Sequence, residues 1–247
     1  MTAAFSSAFL YWVAGDFHSS DPSEIAQFHR FYDETHVPEV FAANPGFVGA
    51  HRYALQIPDE RGDLGAAFLA AYEVDGERAA EEFLARETGN GGPPASYSTG
   101  PPLWSELFVS RWRVLYQRVA ETSAPTVAPG AISIIGIDPP ADADDAELAE
   151  FNAFYTDHHL PENTDRGGFS RGTRYELRHA LKHPAPGCPR YLAVYELEDG
   201  SDESARAALA QLKAATETYT QGPSSWLRRS APWRLWYRRI AHSARAQ

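Results

Sequence analysis

Two histidines and two tyrosines have the types and spacing that suit chemistry. Tyr32 stands four residues before His36, and Tyr155 four before His159. On a helix that spacing places both members of a pair on one face. Imidazole gives or takes a proton near neutral pH. A phenol can donate a hydrogen bond to a carbonyl or a developing enolate. Together they would suit acid–base work on a carbonyl compound. The plainer readings are a histidine that caps its helix end before the following proline, and a tyrosine that is a core aromatic with its hydroxyl satisfied.

A third histidine, His51, sits in a strand segment with Arg52 and Tyr53. Alternation along a strand puts His51 and Tyr53 on one face and Arg52 on the other, and likewise separates Tyr175 from Arg174. The counterpart of His51 is Thr173, so the two halves have diverged there. A metal site would need His158, His159, His179 or His183 to converge with Asp157 or Glu162. Neighbouring helix residues point about 100° apart, so His158 and His159 would not easily share an ion, and no metal is expected. Glu39 and Glu162 follow the prolines; they could orient the histidines or cap the next segment. Cys188 is the lone cysteine, which excludes an internal disulfide and disfavours a cysteine-based zinc site. No glycine-rich phosphate loop stands at a strand–helix junction, and no nucleophile elbow is present. No cofactor is expected. Gly89–Pro94 reads as a mobile loop before Trp104, in the place of a pocket lid.

These residues recur because the chain is a duplication. The pattern F-x-x-F-Y-x-x-x-H-h-P-E, where h is aliphatic, covers Phe28–Glu39 and returns at Phe151–Glu162. Further blocks follow in the same order: Phe47–Leu55 with Phe169–Leu177, Phe68–Val74 with Tyr191–Leu197, Trp104 with Trp226, and Trp112–Tyr116 with Trp233–Tyr237. All are offset by about 122 residues, the sign of an internal repeat. Each copy reads β-α-β-β-α-β. The strands are Ala8–Ala14, Phe47–Leu55, Phe68–Val74 and the Trp-Arg segment, with Ile132–Ile137 opening the second copy. The helices are Pro22–Thr35 and Gly76–Glu87, then Asp144–His159 and Ser201–Thr218. Asp21, Pro22 and Glu24 form a helix-start signature, and Pro38 and Pro161 should end the first helix of each copy. Residues 1–120 form one module, 121–130 a linker with Pro125 and Pro129, and 131–247 the second module. The fold class is therefore α+β: two tandem ferredoxin-like modules, each with both helices on one face of a four-stranded antiparallel sheet. The bare sheet faces must be covered. Packed on each other they form an intramolecular α+β barrel, so the chain is a pseudo-dimeric monomer or a homodimer of such units.

On these motifs the chain resembles the dimeric α/β-barrel superfamily. Tyr32, His36, Pro38, Pro45-Gly46-Phe47 and Arg52-Tyr53 look like its EthD-type branch. The second copy departs, with Arg166-Gly167-Gly168-Phe169 in place of the Pro-Gly-Phe turn. The resemblance implies a small-molecule pocket between the sheet and the first helix of each module. It is open as to reaction, because the superfamily hosts cyclases, isomerases, cofactor-free monooxygenases and haem enzymes. The tandem architecture also resembles the chlorite-dismutase and coprohaem-decarboxylase group, although their haem-ligand segment is not evident.

Composition narrows the partners. The formal net charge is −11, and nucleic-acid binders usually carry a basic patch. The arginines near Trp112 and Trp233 recur on the last strand of each copy, alternating with aromatics, and read as one strand face. No run of about 18 apolar residues exists, so no membrane span is expected. With no secretory signal the expected location is cytoplasmic. Six tryptophans, with many tyrosines and phenylalanines, favour a flat, apolar ligand. The expected function is a cofactor-independent cyclase, dehydratase or isomerase acting on an aromatic or polycyclic carbonyl compound. His36, His159 and His51 with Tyr32 and Tyr155 would do the chemistry; Tyr53, Tyr175, Arg52, Arg174, Trp104, Trp226 and Trp12 would bind. The alternatives are a cofactor-free or haem-dependent oxidoreductase of the same fold, or a binder of apolar ligands.

Overall fold

The computed structural model describes residues 5–61, 65–91, 95–100, 104–124, 127–183 and 187–245. Gly92–Pro94 of the expected lid and Pro125 of the expected linker lie outside the described residues. The first repeat holds β1 (Phe9–Phe17), α1 (Pro22–Phe31), α2 (Val37–Ala43), β2 (Phe47–Ile57), β3 (Phe68–Val74), α3 (Gly76–Glu87), the short α4 (Trp104–Leu107) and β4 (Phe108–Glu121). The second holds β5 (Ala131–Asp138), α5 (Asp145–Phe154), α6 (Leu160–Arg166), β6 (Arg171–Lys182), β7 (Tyr191–Leu197), α7 (Asp202–Ala214), the short α8 (Ser224–Leu227) and β8 (Ser230–Ala244).

Eight antiparallel strands close into one barrel in the order β1-β3-β2-β8-β5-β7-β6-β4. Each repeat contributes four consecutive strands. The seams are β2–β8, where Ala54 faces Arg238, and β4–β6, where Tyr116 faces Leu177. The sheets therefore join edge to edge as well as enclosing a common interior, which removes the open strand edges of a lone module.

Both faces of the barrel wall are buried, so its strands are apolar on both faces. In β1, Leu10, Trp12 and Ala14 face the interior with Tyr53, Tyr116, Tyr175 and Tyr237. Phe9 and Tyr11 face outward under α1–α3, with Phe28, Tyr32 and Phe83. The second repeat builds an equivalent outer core from Phe151, Tyr155, Tyr191, Tyr195 and Trp226. One end of the interior is closed by Trp112 stacked on Trp233, centroids 4.4 Å apart, with His183 stacked on Trp233 at 5.0 Å.

The helix starts follow the sequence. Asp21 accepts from the Ser23 N–H at 2.7 Å, with Pro22 at the first helical position. Asp144 and Glu147 form a capping box. The helix ends do not follow it. Pro38 and Pro161 do not terminate the chain's helical path; they lie in the first turns of α2 and α6. Between α1 and α2, Tyr32–His36 forms a π-helical turn in which the Val37 N–H bonds the Tyr32 carbonyl. Tyr155–His159 repeats it, with Leu160 bonding Tyr155. Proline lacks an N–H and fits a first helical turn; the widened π-turn lets a new helix start there without a break.

Candidate functional site

The sequence-expected residues fall into three places. In the first repeat, the π-turn presents Tyr32 toward the outer face of the sheet. Tyr32 is buried and accepts a hydrogen bond from the Tyr72 hydroxyl at 3.4 Å. Arg52 reaches it from β2, its guanidinium 4.1 Å from the Tyr32 ring centre. That cation is neutralised: Nη1 donates to Asp33 Oδ1 at 2.7 Å and Nη2 to His29 Nδ1 at 3.0 Å. A cavity of about 200 Å³ lies beside the pair, lined by Tyr32, Arg52, Gly15, Phe68 and Phe108 among others. His36 stands one turn on, 4.9 Å from Tyr32, 5.1 Å from Tyr97 and 6.1 Å from Trp104, centroid to centroid. Burial holds its pKa down to about 4; Glu39 opposes that and Arg52 adds to it.

The second repeat keeps the frame and changes the charges. Arg174 is 2% exposed, with its guanidinium 4.4 Å from the Tyr155 ring and 4.2 Å from the Tyr191 ring. Its hydrogen-bond partners are neutral: Thr156 Oγ1 at 3.0 Å and the side chain and carbonyl of Asn152. Thr156 stands where the first repeat has Asp33, and Asn152 where it has His29. Among the described residues no carboxylate lies within ion-pair distance of Arg174, and burial pulls its pKa down. Among the described residues the Arg174 Nε and the buried Tyr155 hydroxyl have no hydrogen-bond partner, and the Tyr195 hydroxyl faces Asn163 without closing a bond. A second cation, Arg229, lies over Trp226 at 4.1 Å and donates to the Trp226 carbonyl at 2.7 Å; no carboxylate pairs with it among the described residues. His159 is packed 4.5 Å from Trp226, 5.4 Å from Tyr219 and 5.6 Å from Tyr155. Burial, reinforced by Arg229, lowers its pKa to about 3. Burial also raises the Tyr155 phenol, while Arg174 and Arg229 favour its anion. Two cations with neutral hydrogen-bond partners thus stand among aromatic rings.

The third place is the barrel interior, on the opposite face of the sheet. His51, Tyr53, Tyr175 and Trp12 lie there, away from Tyr32, Arg52, Tyr155 and Arg174. His51 Nε2 is 2.7 Å from Glu73 Oε1, both buried. Burial pushes the Glu73 carboxyl up, but the His51 contact and hydrogen bonds from Ser7 and Ser6 outweigh it, leaving about 2. The repeat-equivalent Glu196 behaves oppositely. Burial dominates, Arg171 opposes it and Glu73 adds to it, for a pKa of about 7. The expected binding residues thus do not surround one pocket.

Glu39 and Glu162 neither orient a histidine nor cap a helix. Glu39 accepts from the Ser98 N–H at 2.9 Å, and Glu162 from the Thr220 N–H at 3.2 Å. They pin the segments that lay Tyr97 and Tyr219 against His36 and His159. Sequence reasoning passed over this tyrosine pair, although Ser96-Tyr97-Ser98 and Thr218-Tyr219-Thr220 obey the repeat offset. It also passed over Glu73, Glu196 and Arg171, which read as ordinary strand residues. Among the described residues no three His, Cys, Asp or Glu side chains are grouped to hold a metal ion, so Asp157, His158, His159, Glu162, His179 and His183 do not converge. No described helix is long and apolar enough to cross a membrane.

No protein-family model matches the chain, and no curated protein does. Solved structures do. A mutant chlorite dismutase from Candidatus Nitrospira defluvii shares 12% identity over 96% of this chain and 93% of its own, at a TM-score of 0.50. Another mutant of that enzyme, in complex with cyanide, shares 11% identity over 94% and 90%, at 0.49. A dye-decolorizing protein from V. cholerae shares 7% over 97% and 94%, at 0.44. The first supports the tandem ferredoxin-like fold. That first neighbour is a chlorite dismutase by name, not a cyclase, dehydratase or isomerase. The expectation of a cofactor-independent cyclase is corrected accordingly. The geometry agrees with the correction: imidazoles with pKa values of about 4 and 3 are weak bases at neutral pH, far from the matched pKa that general-base work favours.

Proposed function

We propose that the chain is an oxidoreductase of the monooxygenase type, with its reactive site on the helix side of the second repeat. The observation that carries this reading is the pair Arg174 and Arg229 flanking the Tyr155 hydroxyl, which among the described residues has no hydrogen-bond partner, with no carboxylate among those residues to neutralise the two cations. A buried cation without a counter-ion, as Arg174 is among the described residues, is costly unless an anion completes the site. An oxyanion would be completed there by a guanidinium and a phenol donor, the arrangement that stabilises a developing negative oxygen. Trp226, Phe151 and Tyr191 would sandwich the ring that bears it. An aromatic compound held as its phenolate or enolate is electron-rich and can reduce dioxygen. An activated CH₂ would become C=O, one oxygen atom of O₂ entering the product and the other leaving as water, with all electrons supplied by the substrate. The EthD-like motif around Tyr32, His36 and Pro38 is in keeping with this small-molecule role.

The fold family also implies haem. The residues on the helix side do not fit it as they stand. His159 is enclosed by Trp226, Tyr219 and Tyr155, and seating a macrocycle against its ring would displace Trp226 from the core. The small cavity beside Tyr32 and Arg52 is lined by no histidine or cysteine that could ligate the iron. No step is therefore routed through haem.

Incubation with electron-rich phenols and cyclic enols under ¹⁸O₂ tests the reading. One labelled oxygen in the product, lost in the Arg174→Gln variant, is the expected outcome. Absence of label with every such compound would contradict it.

A further inference from the structure

The interior of the barrel holds polar chemistry that the helix-side site does not use. At the end opposite Trp112 and Trp233, the chain before β1 turns into the barrel mouth. Phe5 is fully buried there, with a φ of 55°. A bulky residue in the left-handed region is strained and persists only where its surroundings hold it. The holding groups are specific. Glu73 accepts the backbone N–H of Phe5 at 2.9 Å, of Ser6 at 2.8 Å and of Ser7 at 2.9 Å, and the Ser6 hydroxyl at 2.9 Å. Arg171 donates to the Phe5 carbonyl at 3.1 Å and to Glu196 at 3.1 Å. The pseudo-symmetry explains the opening. Arg171 faces Glu196 across β6–β7, but its counterpart Gly49 faces Glu73 across β2–β3. Without a side chain at Gly49, the oxygens of Glu73 are left for the N-terminal segment.

Two aromatics lie nearly parallel to the Phe5 ring. Trp12 is 6.1 Å away at 23° and Tyr53 is 6.3 Å away at 13°. In the interior of the barrel are buried polar atoms with no hydrogen-bond partner among the described residues: Trp12 Nε1, Tyr53 OH and His51 Nδ1 on rings that neighbour Phe5, and Tyr175 OH and Thr173 Oγ1. Phe5 can satisfy none of them, because its ring is apolar. Three aromatic donors around a ring-shaped space suit a flat ligand that carries a hydrogen-bond acceptor.

We infer that this end of the barrel interior is a second ligand site, which takes a small aromatic carbonyl compound in the place now filled by the Phe5 ring, with residues 5–7 as its displaceable plug. The carbonyl oxygen would accept from the Trp12 indole and the Tyr53 or Tyr175 hydroxyl. The site stands on the opposite sheet face from Arg174 and Tyr155 and does not depend on the reading of those residues.

The test compares acetophenone with ethylbenzene, which has nearly the same shape and no acceptor, by calorimetry on the Phe5→Ala chain. The site predicts acetophenone at least tenfold tighter, with the preference reduced by adding Tyr53→Phe and Tyr175→Phe and erased when Trp12→Phe is added to them. Equal affinities would reveal a plain apolar hole and overturn the proposal, since any emptied aromatic space binds benzene-like molecules. Where Phe5→Ala fails to fold, the unmodified chain decides. Acetophenone should shift the Trp12 indole N–H resonance, assigned by its loss in Trp12→Phe, and leave the Trp226 indole unmoved. An unmoved Trp12 signal at saturating acetophenone overturns the proposal.

Discussion

Arg174 occupies the place of Arg52 but lacks its carboxylate: Asp33, 2.7 Å from Arg52, is replaced by Thr156, 3.0 Å from Arg174. Restoring the first repeat's arrangement with Thr156→Asp should neutralise the second. We expect stability to rise by up to ~1 kcal/mol, the scale of a partly exposed ion pair. Affinity for an aromatic oxyanion should fall at least tenfold, about 1.4 kcal/mol. Thermal denaturation and ligand titration on the same samples check both.

The two outer histidines give stability a definite pH slope. Their folded pKa values, about 4 and about 3, lie below the usual imidazole value of 6.5. Between those values the unfolded chain binds protons that the folded chain does not. Their contribution is fully present above pH 6.5 and is lost as pH falls through about 4 and then about 3. A His159→Phe variant should flatten the slope in that window. Denaturant titrations from pH 3 to 7.5 provide the comparison; an unchanged slope would show that His159 is not held neutral by burial.

Glu73 and Glu196 work in opposite directions although they are repeat equivalents. Glu73 is depressed to about 2 from 4.5, so its stabilisation is present above pH 4.5 and is lost as pH falls toward 2. Glu196 is raised to about 7 from 4.5, so its folded form keeps a proton the unfolded chain has shed. Stability from that group is full below pH 4.5 and declines as pH rises to 7. Glu196→Gln should abolish this decline while leaving the acid limb intact. Carboxyl NMR titration should find the two groups several pH units apart.

The glycine at Gly172 gives a packing test. A Cβ there would stand 2.3 Å from Thr164 Oγ1 and 3.2 Å from Leu160. Gly172→Ala should therefore push α6 away from β6 and cost roughly 1–3 kcal/mol, the range for overpacking. A melting temperature equal to that of the unmodified chain would refute the tight contact.

Most of the fold was legible because duplication doubles every signal. The F-x-x-F-Y block, the Arg-Tyr strands and the Trp-Arg strands each fix an element twice, and period-two alternation correctly separated His51 and Tyr53 from Arg52. The π-turns were not legible, since proline after a helical stripe reads as a stop, and only the backbone shows that the turn widens instead. The positions of the candidate residues on their elements were legible, and their grouping was not. Tyr32, Tyr155, Arg52 and Arg174 do meet on the helix sides, whereas Trp12, Tyr53 and Tyr175 turn into the barrel. Which face of a strand is the interior depends on barrel closure between distant strands, and no local pattern carries that. The electrostatic difference between the repeats rests on Asp33 against Thr156 and His29 against Asn152, aligned positions whose weight emerges only once Arg174 is seen to be buried.

The most direct test of the oxyanion site is a spectroscopic titration with p-nitrophenol at a pH below its own pKa, where the free compound is colourless. The unmodified chain should bind it as the yellow phenolate, and the Arg174→Gln and Tyr155→Phe variants only in the colourless form. Binding of the neutral phenol alone by the unmodified chain, or no binding by a chain shown to be folded, would contradict the claim that Arg174 and Tyr155 are arranged to hold an oxyanion.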